Sequence, residues 1–170
     1  MSAAAIAVFL VALERLAEVA WSARNTKALL ARGGHEVGRA HYPLFFALHA
    51  GWLLAILLAA PAGGVVNGLA LAIFIAVQPL RLWVLMTLGP RWTTGILVLP
   101  GAPLVRAGPY KYVRHPNYMV VICEIATLPI AFGEWWVSFI FTVLNAILLA
   151  WRIKMEEGAL APSRGLARPS

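Results

Sequence analysis

Five runs of apolar residues occupy most of this chain. Several of them approach the ~20 residues that an α-helix needs to cross the hydrocarbon layer of a membrane. Of the 170 residues, 61% are hydrophobic and 12% are charged, which is too little charge to cover the surface of a soluble domain. Lipid offers no hydrogen-bond partner to backbone groups, so each run is expected to be helical. The sequence therefore predicts an all-α integral membrane protein with about five transmembrane helices, over Ala3–Trp21, Tyr42–Ala60, Val65–Leu85, Tyr118–Phe132 and Trp135–Trp151.

The fourth apolar run is short, and only Gly133 and Glu134 separate it from the fifth. These two runs are predicted to form a C-terminal helical hairpin whose ends emerge on one side of the membrane, whether or not it reaches the far face. The chain has no internal repeat and no low-complexity linker. It is interpreted as one domain, 1–170, in which 1–88 supplies three transmembrane helices and 89–170 supplies a long loop, the hairpin and the tail.

The positions of the basic residues predict the orientation, because short loops rich in Lys and Arg stay in the cytosol. All of them but Arg15 were assigned to the loop after the first run, the loop after the third run or the tail: Arg24, Lys27, Arg32 and Arg39, then Arg81, Arg91, Arg106, Lys111 and Arg114, then Arg152, Lys154, Arg164 and Arg168. This places the N-terminus outside and the C-terminus in the cytosol. This orientation accounts for the net charge of +7. The charges lie beside membrane segments rather than along one soluble face, so membrane lipids are the expected partner and a nucleic acid is not.

The longest stretch outside the apolar runs, 86–117, is expected to be functional, since loops of this length rarely occur without a role. Glycine–proline pairs interrupt any regular helix there. Turns fixed by proline hold backbone groups in set directions, as recognition of an adenine or ribose edge requires. The alternative is an interfacial loop anchored by its aromatic residues.

His115 precedes Pro116, and the residue before a proline is pushed out of the helical region while the proline suits the first turn of a helix. The imidazole is therefore predicted at the N-terminus of the fourth helix. The positive end of the helix dipole there favours a neutral histidine and attracts a carboxylate, such as the amino-acid part of a cofactor.

Arg152 and Glu156 are four residues apart near the end of the last helix and so share one helical face. In a soluble helix this spacing is usual for a solvated surface pair. At the end of a membrane helix, a guanidinium can instead hold a carboxylate or an acidic oxyanion by two parallel hydrogen bonds. Glu156 is then expected to hold Arg152 or to bind the cationic part of a cofactor.

Glu14 and Glu18 share a face of the first helix, where ionisable groups are costly and normally serve a polar interior or a ligand. Both are candidate substrate residues, with Arg15 as a candidate partner; the alternative is that this part of the helix lies in the interface. Glu124 and Asn145 are candidates for a pair inside the bundle. The single cysteine, Cys123, leaves no ligand cluster for a metal, and no metal is expected.

The chain resembles the isoprenylcysteine carboxyl methyltransferase family of membrane-embedded enzymes that use S-adenosyl-L-methionine. The resemblance covers about the C-terminal half and rests on Gly108-Pro109-Tyr110, on Arg114-His115-Pro116-Asn117-Tyr118 and on Arg152 with Glu156-Glu157. It implies a cytosolic cofactor-binding loop and catalytic roles for Arg152 and Glu156, with Arg152 orienting the acidic group of the substrate. The cofactor contacts that it implies are Ala102, Pro103, Leu104, Val105, Tyr110, His115, Pro116, Asn117, Tyr118 and Glu156.

The chain departs from the family pattern at Val120, where relatives often have glycine, and it lacks the aromatic tail of many relatives. Its N-terminal half is more similar to small bacterial members that methylate hydroxyl groups of long-chain polyketide pyrones or resorcinols. The resemblance therefore implies a lipophilic small-molecule substrate and a bacterial inner-membrane location. It makes no prediction of the oligomeric state.

Three functional alternatives remain at this point. The first is a methyltransferase acting on an acidic oxygen of a lipid-tailed substrate, either a ring hydroxyl or the carboxyl group of a prenylcysteine. The second is a membrane reductase that uses NADPH, whose C-terminal region has a similar architecture. The third is a non-catalytic membrane protein.

Overall fold

The computed structural model describes residues 1–61 and 63–164, and within these ranges the chain forms five α-helices. They are α1 (Ala3–Ala31), α2 (Tyr42–Ala59), α3 (Gly68–Leu88), α4 (Pro116–Ala131) and α5 (Trp135–Arg164). Arg168, which was assigned to the cytosolic tail, lies outside the described residues, as does the side chain of Arg164.

Three of the helices are long and apolar enough to span a membrane, over Tyr42–Ala59, Gly68–Arg91 and Trp135–Ala161, and the apolar helix Pro116–Ala131 is shorter. Their outer faces expose large apolar side chains such as Leu58, Ile75 and Phe139, which is the pattern of helices in contact with lipid. The prediction of an all-α integral membrane protein is confirmed. The orientation across the membrane stays a prediction.

Helix α1 continues beyond the predicted end at Trp21 and carries Arg24 and Lys27, so their assignment to a loop is wrong. The stretch after Trp21 contains neither proline nor glycine, and helix propensity extends the helix although the apolar pattern has ended. The helix ends at Ala31, and Gly33, which has a φ of +85°, then reverses the chain. Helix α5 likewise extends past its predicted end at Trp151 and carries Arg152 and Glu156 within its regular turns.

The C-terminal hairpin forms where it was predicted. Gly133 has a φ of +86°, and the amide of Glu134 donates to the carbonyl of Pro129 at 2.9 Å, which closes α4 against α5. Ser138 also donates its hydroxyl to the carbonyl of Ala126 at 2.7 Å. The ends of the hairpin that carry His115 and Arg152 are therefore on the same side of the protein.

The loop after α1 and the loop after α3 are joined by a two-stranded antiparallel sheet. Its strands are β1 (His35–Val37) and β2 (Ile96–Val98), with His35 opposite Val98 and Val37 opposite Ile96. The stretch 86–117 is therefore more regular than its turn residues indicate, and it also contains 3-10 helices at Gly89–Arg91 and Gly108–Lys111. The sheet fastens this stretch to the N-terminal half of the chain.

Beside the apolar core, an ion cluster joins α1, α3 and α4. Arg81 on α3 donates to both carboxylate oxygens of Glu18 at 2.5 Å each and to Glu124 on α4 at 2.8 Å. Arg15 on α1 donates to Glu124 and to Glu14, both at 3.2 Å. The prediction that Arg15 pairs with the acidic residues of α1 is confirmed.

Two sequence-based assignments are wrong in this region. Arg81 was placed in a cytosolic loop, but it is a buried residue of α3 with 3% of its surface exposed. Glu124 does not pair with Asn145, because Arg15, Arg81 and Gln78 occupy its oxygens. Within the described part of the chain, the fully buried amide of Asn145 has no hydrogen-bond partner.

Replacing Arg81 with Met should strongly destabilise the protein, because Glu18 and Glu124 would remain buried without their partner. Removal of one member of a buried ion pair costs about 3–5 kcal/mol in proteins. We expect the midpoint of thermal unfolding in detergent to fall by many degrees for Arg81→Met. Arg39→Met is the matched control, since the Arg39 side chain is 88% exposed, and an equal fall in both variants would contradict a structural role for the cluster.

Candidate functional site

Two cavities meet where α4 begins and α5 leaves its apolar stretch. The larger, of about 680 Å³, lies beneath the loop after α3. The smaller, of about 370 Å³, lies between α1, α2, α4 and α5. Both are lined by the same five side chains, so these form a shared wall: Trp92, Thr93, Asn117, Tyr118 and Arg152.

The residues predicted to contact a cofactor converge on the larger cavity. Its lining includes the loop Ala102–Val105 together with Tyr110, His115, Asn117, Tyr118 and Glu156. Pro116 is buried at the first position of α4 and is not among the lining residues. The geometry thus brings together side chains that are far apart in the sequence, and their role in binding stays a prediction.

A chain of hydrogen bonds runs along the shared wall. The hydroxyl of Tyr118 donates to the carboxylate of Glu156 and accepts from Nε of Arg152 at 2.8 Å. Nη2 of Arg152 donates to the carbonyl of Thr94 at 2.7 Å. The guanidinium carbon lies 5.1 Å from the ring centre of Phe45, which packs against its face. Arg152 is therefore held in one position by contacts from three separate segments.

This arrangement corrects one expectation. Glu156 was expected either to hold Arg152 or to bind the cationic part of a cofactor; the first alternative is wrong, because the hydroxyl of Tyr118 lies between the two side chains. The spacing of four residues does place both side chains on the same face of α5. The spacing could not predict that Tyr118 of α4 lies between these side chains, because its position depends on how α4 and α5 pack.

The larger cavity presents polar atoms that lack partners within the described part of the chain. The buried atoms without a hydrogen-bond partner include Nε2 of His115 and Oδ1 of Asn117. The His115 ring is stacked on Tyr118, with ring centres 5.2 Å apart and planes inclined by 13°. Buried polar atoms normally have a partner, so these two indicate a place where a ligand or water completes the structure.

Tyr110 adds a hydrogen-bond donor to the same cavity. Burial, and to a smaller extent the negative charge of Glu156, raises the pKa of Tyr110 above its ordinary value. Its hydroxyl therefore stays protonated at neutral pH. The preceding Gly108 has a φ of +54°, and a side chain there would overlap with Thr87 on α3, so only glycine lets this turn approach α3 so closely.

The smaller cavity is mostly apolar. Aromatic and aliphatic side chains line it, including Phe45, Phe46, Leu53, Val121 and Leu149. Of the two candidate substrate residues, Glu18 lines this cavity, whereas Glu14 belongs to the ion cluster but not to the lining. A cavity of this kind suits an apolar chain whose polar head reaches Arg152.

The sequence analysis did not predict several polar contacts that support the site. Ser22 accepts a hydrogen bond from the amide of Thr94 at 2.8 Å, and Thr94 also donates to the hydroxyl of Tyr42 at 3.0 Å. Asn25 donates to the carbonyls of Gly89 and Trp92. Two signals were present in the sequence: Asn25 lies about two turns beyond Glu18 on the first helix, and Arg81 is an arginine close to the end of an apolar run.

The fold and the paired cavities define a helical membrane protein with a polar site next to an apolar one. The chain belongs to the isoprenylcysteine carboxyl methyltransferase family, whose sequence pattern matches residues 70–162. The family is one of membrane methyltransferases, which supports enzymatic activity for the chain.

Two bacterial relatives match over most of the chain. The uncharacterized protein YpbQ of Bacillus subtilis is 38% identical over 160 residues, which cover 91% of this chain and 94% of that protein. An uncharacterized protein of Haemophilus influenzae is 30% identical over 145 residues, which cover 82% and 84% of the two chains. No solved structure matches the chain significantly.

Replacing Tyr118 with Phe should destabilise the protein while keeping the ring stacked on His115. The change removes a hydroxyl that joins two charged groups, and hydrogen bonds of this type contribute about 1.5–3 kcal/mol. Thermal unfolding in detergent measures the loss. Tyr112→Phe removes a hydroxyl from a residue that is 75% exposed, and the interpretation fails if the two midpoints shift equally.

Proposed function

We propose that the protein is an S-adenosylmethionine-dependent O-methyltransferase acting on an acidic oxygen of a lipid-tailed substrate. The observation that carries this proposal is the shared wall between a polar cavity and an apolar cavity, with Arg152 and Tyr118 lining both. A cofactor in the larger cavity and a lipid in the smaller one would meet at these two side chains. Membership of a methyltransferase family supports the same reaction class.

The larger cavity fits such a cofactor in size and in chemistry. Its volume of about 680 Å³ falls within the ~300–1,000 Å³ of typical small-molecule sites. The unpartnered atoms of His115 and Asn117 can hydrogen-bond polar groups of the cofactor. The carboxylate of Glu156 can hold its cationic part, and the tyrosine hydroxyls can donate to its acceptors. When bound, the cofactor would supply a methyl group that is already activated by attachment to a positively charged sulfur.

Arg152 is the residue that we assign to the acidic oxygen of the substrate. Its Nε and Nη2 are bound to Tyr118 and Thr94, which fixes the plane of the guanidinium at the wall that the two cavities share. A fixed guanidinium favours the ionised form of an oxygen beside it. A carboxylate needs no further help, whereas a ring hydroxyl must lose its proton, which Glu156 can accept through the hydroxyl of Tyr118.

The substrate that we favour is a long-chain pyrone or resorcinol, because the N-terminal half resembles bacterial members that act on such lipids. The other candidate is the carboxyl group of a prenylcysteine. Exposed Arg106, Lys111 and Arg114 lie at the larger cavity, which supports a cytosolic position for the cofactor site. The proposed location is the bacterial inner membrane.

Calorimetry on the detergent-purified protein should show saturable heat with S-adenosylmethionine and none with NADPH. Asn117→Leu removes one unpartnered polar atom of the larger cavity, and we expect it to weaken the binding of S-adenosylmethionine by roughly tenfold. Lys154→Ala changes an exposed residue that lines neither cavity and serves as the control. Heat with NADPH alone would favour the reductase, and heat with neither ligand would favour a non-catalytic protein.

Replacing Arg152 with Ala should lower turnover by about 100-fold or more, as expected when a donor to a reacting oxygen is removed. The affinity for S-adenosylmethionine should stay within about threefold, because the cofactor contacts come mainly from other residues. Transfer of a labelled methyl group to an alkylresorcinol measures the first quantity, and calorimetry measures the second. Lys154→Ala is again the control. Equal losses of turnover and cofactor affinity would contradict the role assigned to Arg152.

A further inference from the structure

The smaller cavity has a second polar region besides the shared wall. Arg15, Glu18 and Arg81, three members of the ion cluster, line the cavity together with its apolar side chains. Within the described residues, the buried Nε of Arg15 has no hydrogen-bond partner. An apolar ligand beside the cluster would leave this donor unpaired at a cost, so the cavity calls for a ligand that is polar at this point.

The two polar regions are connected through Thr94. Its amide donates to Ser22 on α1, and its carbonyl accepts from Arg152, so Thr94 bridges α1 and the guanidinium of Arg152. Glu18 precedes Ser22 by four residues, which is about 6 Å along a helix that rises 1.5 Å per residue. Glu18 is therefore about one helical turn from the Ser22–Thr94 bridge, and the same cavity is lined by Arg152 and by the ion cluster.

We propose that Arg15, Glu18 and Arg81 form a second polar subsite, which binds a hydroxyl or carbonyl group on the head of the lipid substrate while Arg152 holds the reacting oxygen. The guanidinium groups can donate to such an oxygen, and the carboxylate of Glu18 can accept from a hydroxyl. The substrate class is then a lipid whose head carries two oxygen functions on different sides of a ring. A head with a single oxygen would place carbon against the ion cluster and bind less well. This inference rests on the proposed function for its assignment of Arg152.

The test compares two ligands of equal chain length that differ by one hydroxyl. An alkylresorcinol has two ring hydroxyls, and the matching alkylphenol has one. Calorimetry on the detergent-solubilised full-length protein gives the affinity for each ligand. We expect the alkylresorcinol to bind about tenfold more tightly or better, because the extra hydroxyl meets charged partners. Equal affinities, or no binding of either ligand, would overturn the proposal.

A variant tests whether the preference for the second hydroxyl arises at this subsite. Arg15→Gln should reduce the preference for the second hydroxyl to less than about threefold, whereas Arg39→Gln, the same change at an exposed position, should leave it unchanged. If Arg15→Gln does not fold, the comparison of the two ligands on the wild-type protein still decides. A preference that persists in a folded Arg15→Gln protein would overturn the assignment to this subsite.

The cofactor experiment separates this inference from the proposed function. A protein that binds S-adenosylmethionine and methylates a lipid, yet shows no preference between the two ligands, retains the proposed function and loses the second subsite. A protein with the ligand preference but no heat from S-adenosylmethionine retains the subsite and loses the methyltransferase assignment.

Discussion

The pairing of charges among α1, α3 and α4 constrains the whole arrangement. An unpaired charge inside an apolar bundle is costly. Arg81 on α3 meets Glu18 on α1 and Glu124 on α4, and these contacts restrict how the three helices can rotate relative to one another. Once Glu18 is fixed, Ser22 lies one turn further along α1 and reaches Thr94. The position of Arg152 depends in turn on Thr94, and the site is thus built outward from the ion cluster.

Much of the fold could be predicted because the length and apolar character of a membrane helix are properties of the local sequence. The helix ends were less predictable. Beyond Trp21 and Trp151 the apolar pattern ends, yet both helices continue. In α1 the extension contains neither proline nor glycine, so helix propensity alone can carry it on. The hairpin was predicted at the right place, since Gly133 supplies the left-handed conformation that the turn requires. The pairing of β1 with β2 involves three residues on each side, too few for a recognisable pattern.

Several residues of the larger cavity could be predicted from short motifs that resemble those of the methyltransferase family. The contacts between these residues could not. The motif around His115 and the pair on α5 singled out side chains that the structure places around one cavity, and their role in binding stays a prediction. Tyr118 was predicted to contact a cofactor but not to link Arg152 with Glu156. The pairing of Glu124 was mistaken for a similar reason, because partners on different helices depend on rotation and depth, which a single sequence does not record.

The two cavities draw on different parts of the chain. Every residue that lines the larger cavity, apart from Leu29, falls within the stretch 70–162 that matches the family. More than half of the lining of the smaller cavity comes from α1 and α2, before that stretch begins. Under the proposed function, changes in the first two helices would alter which lipid the smaller cavity accepts while the lining of the larger cavity stays intact. On that proposal, homologues that share the second half of this chain need not share its acceptor.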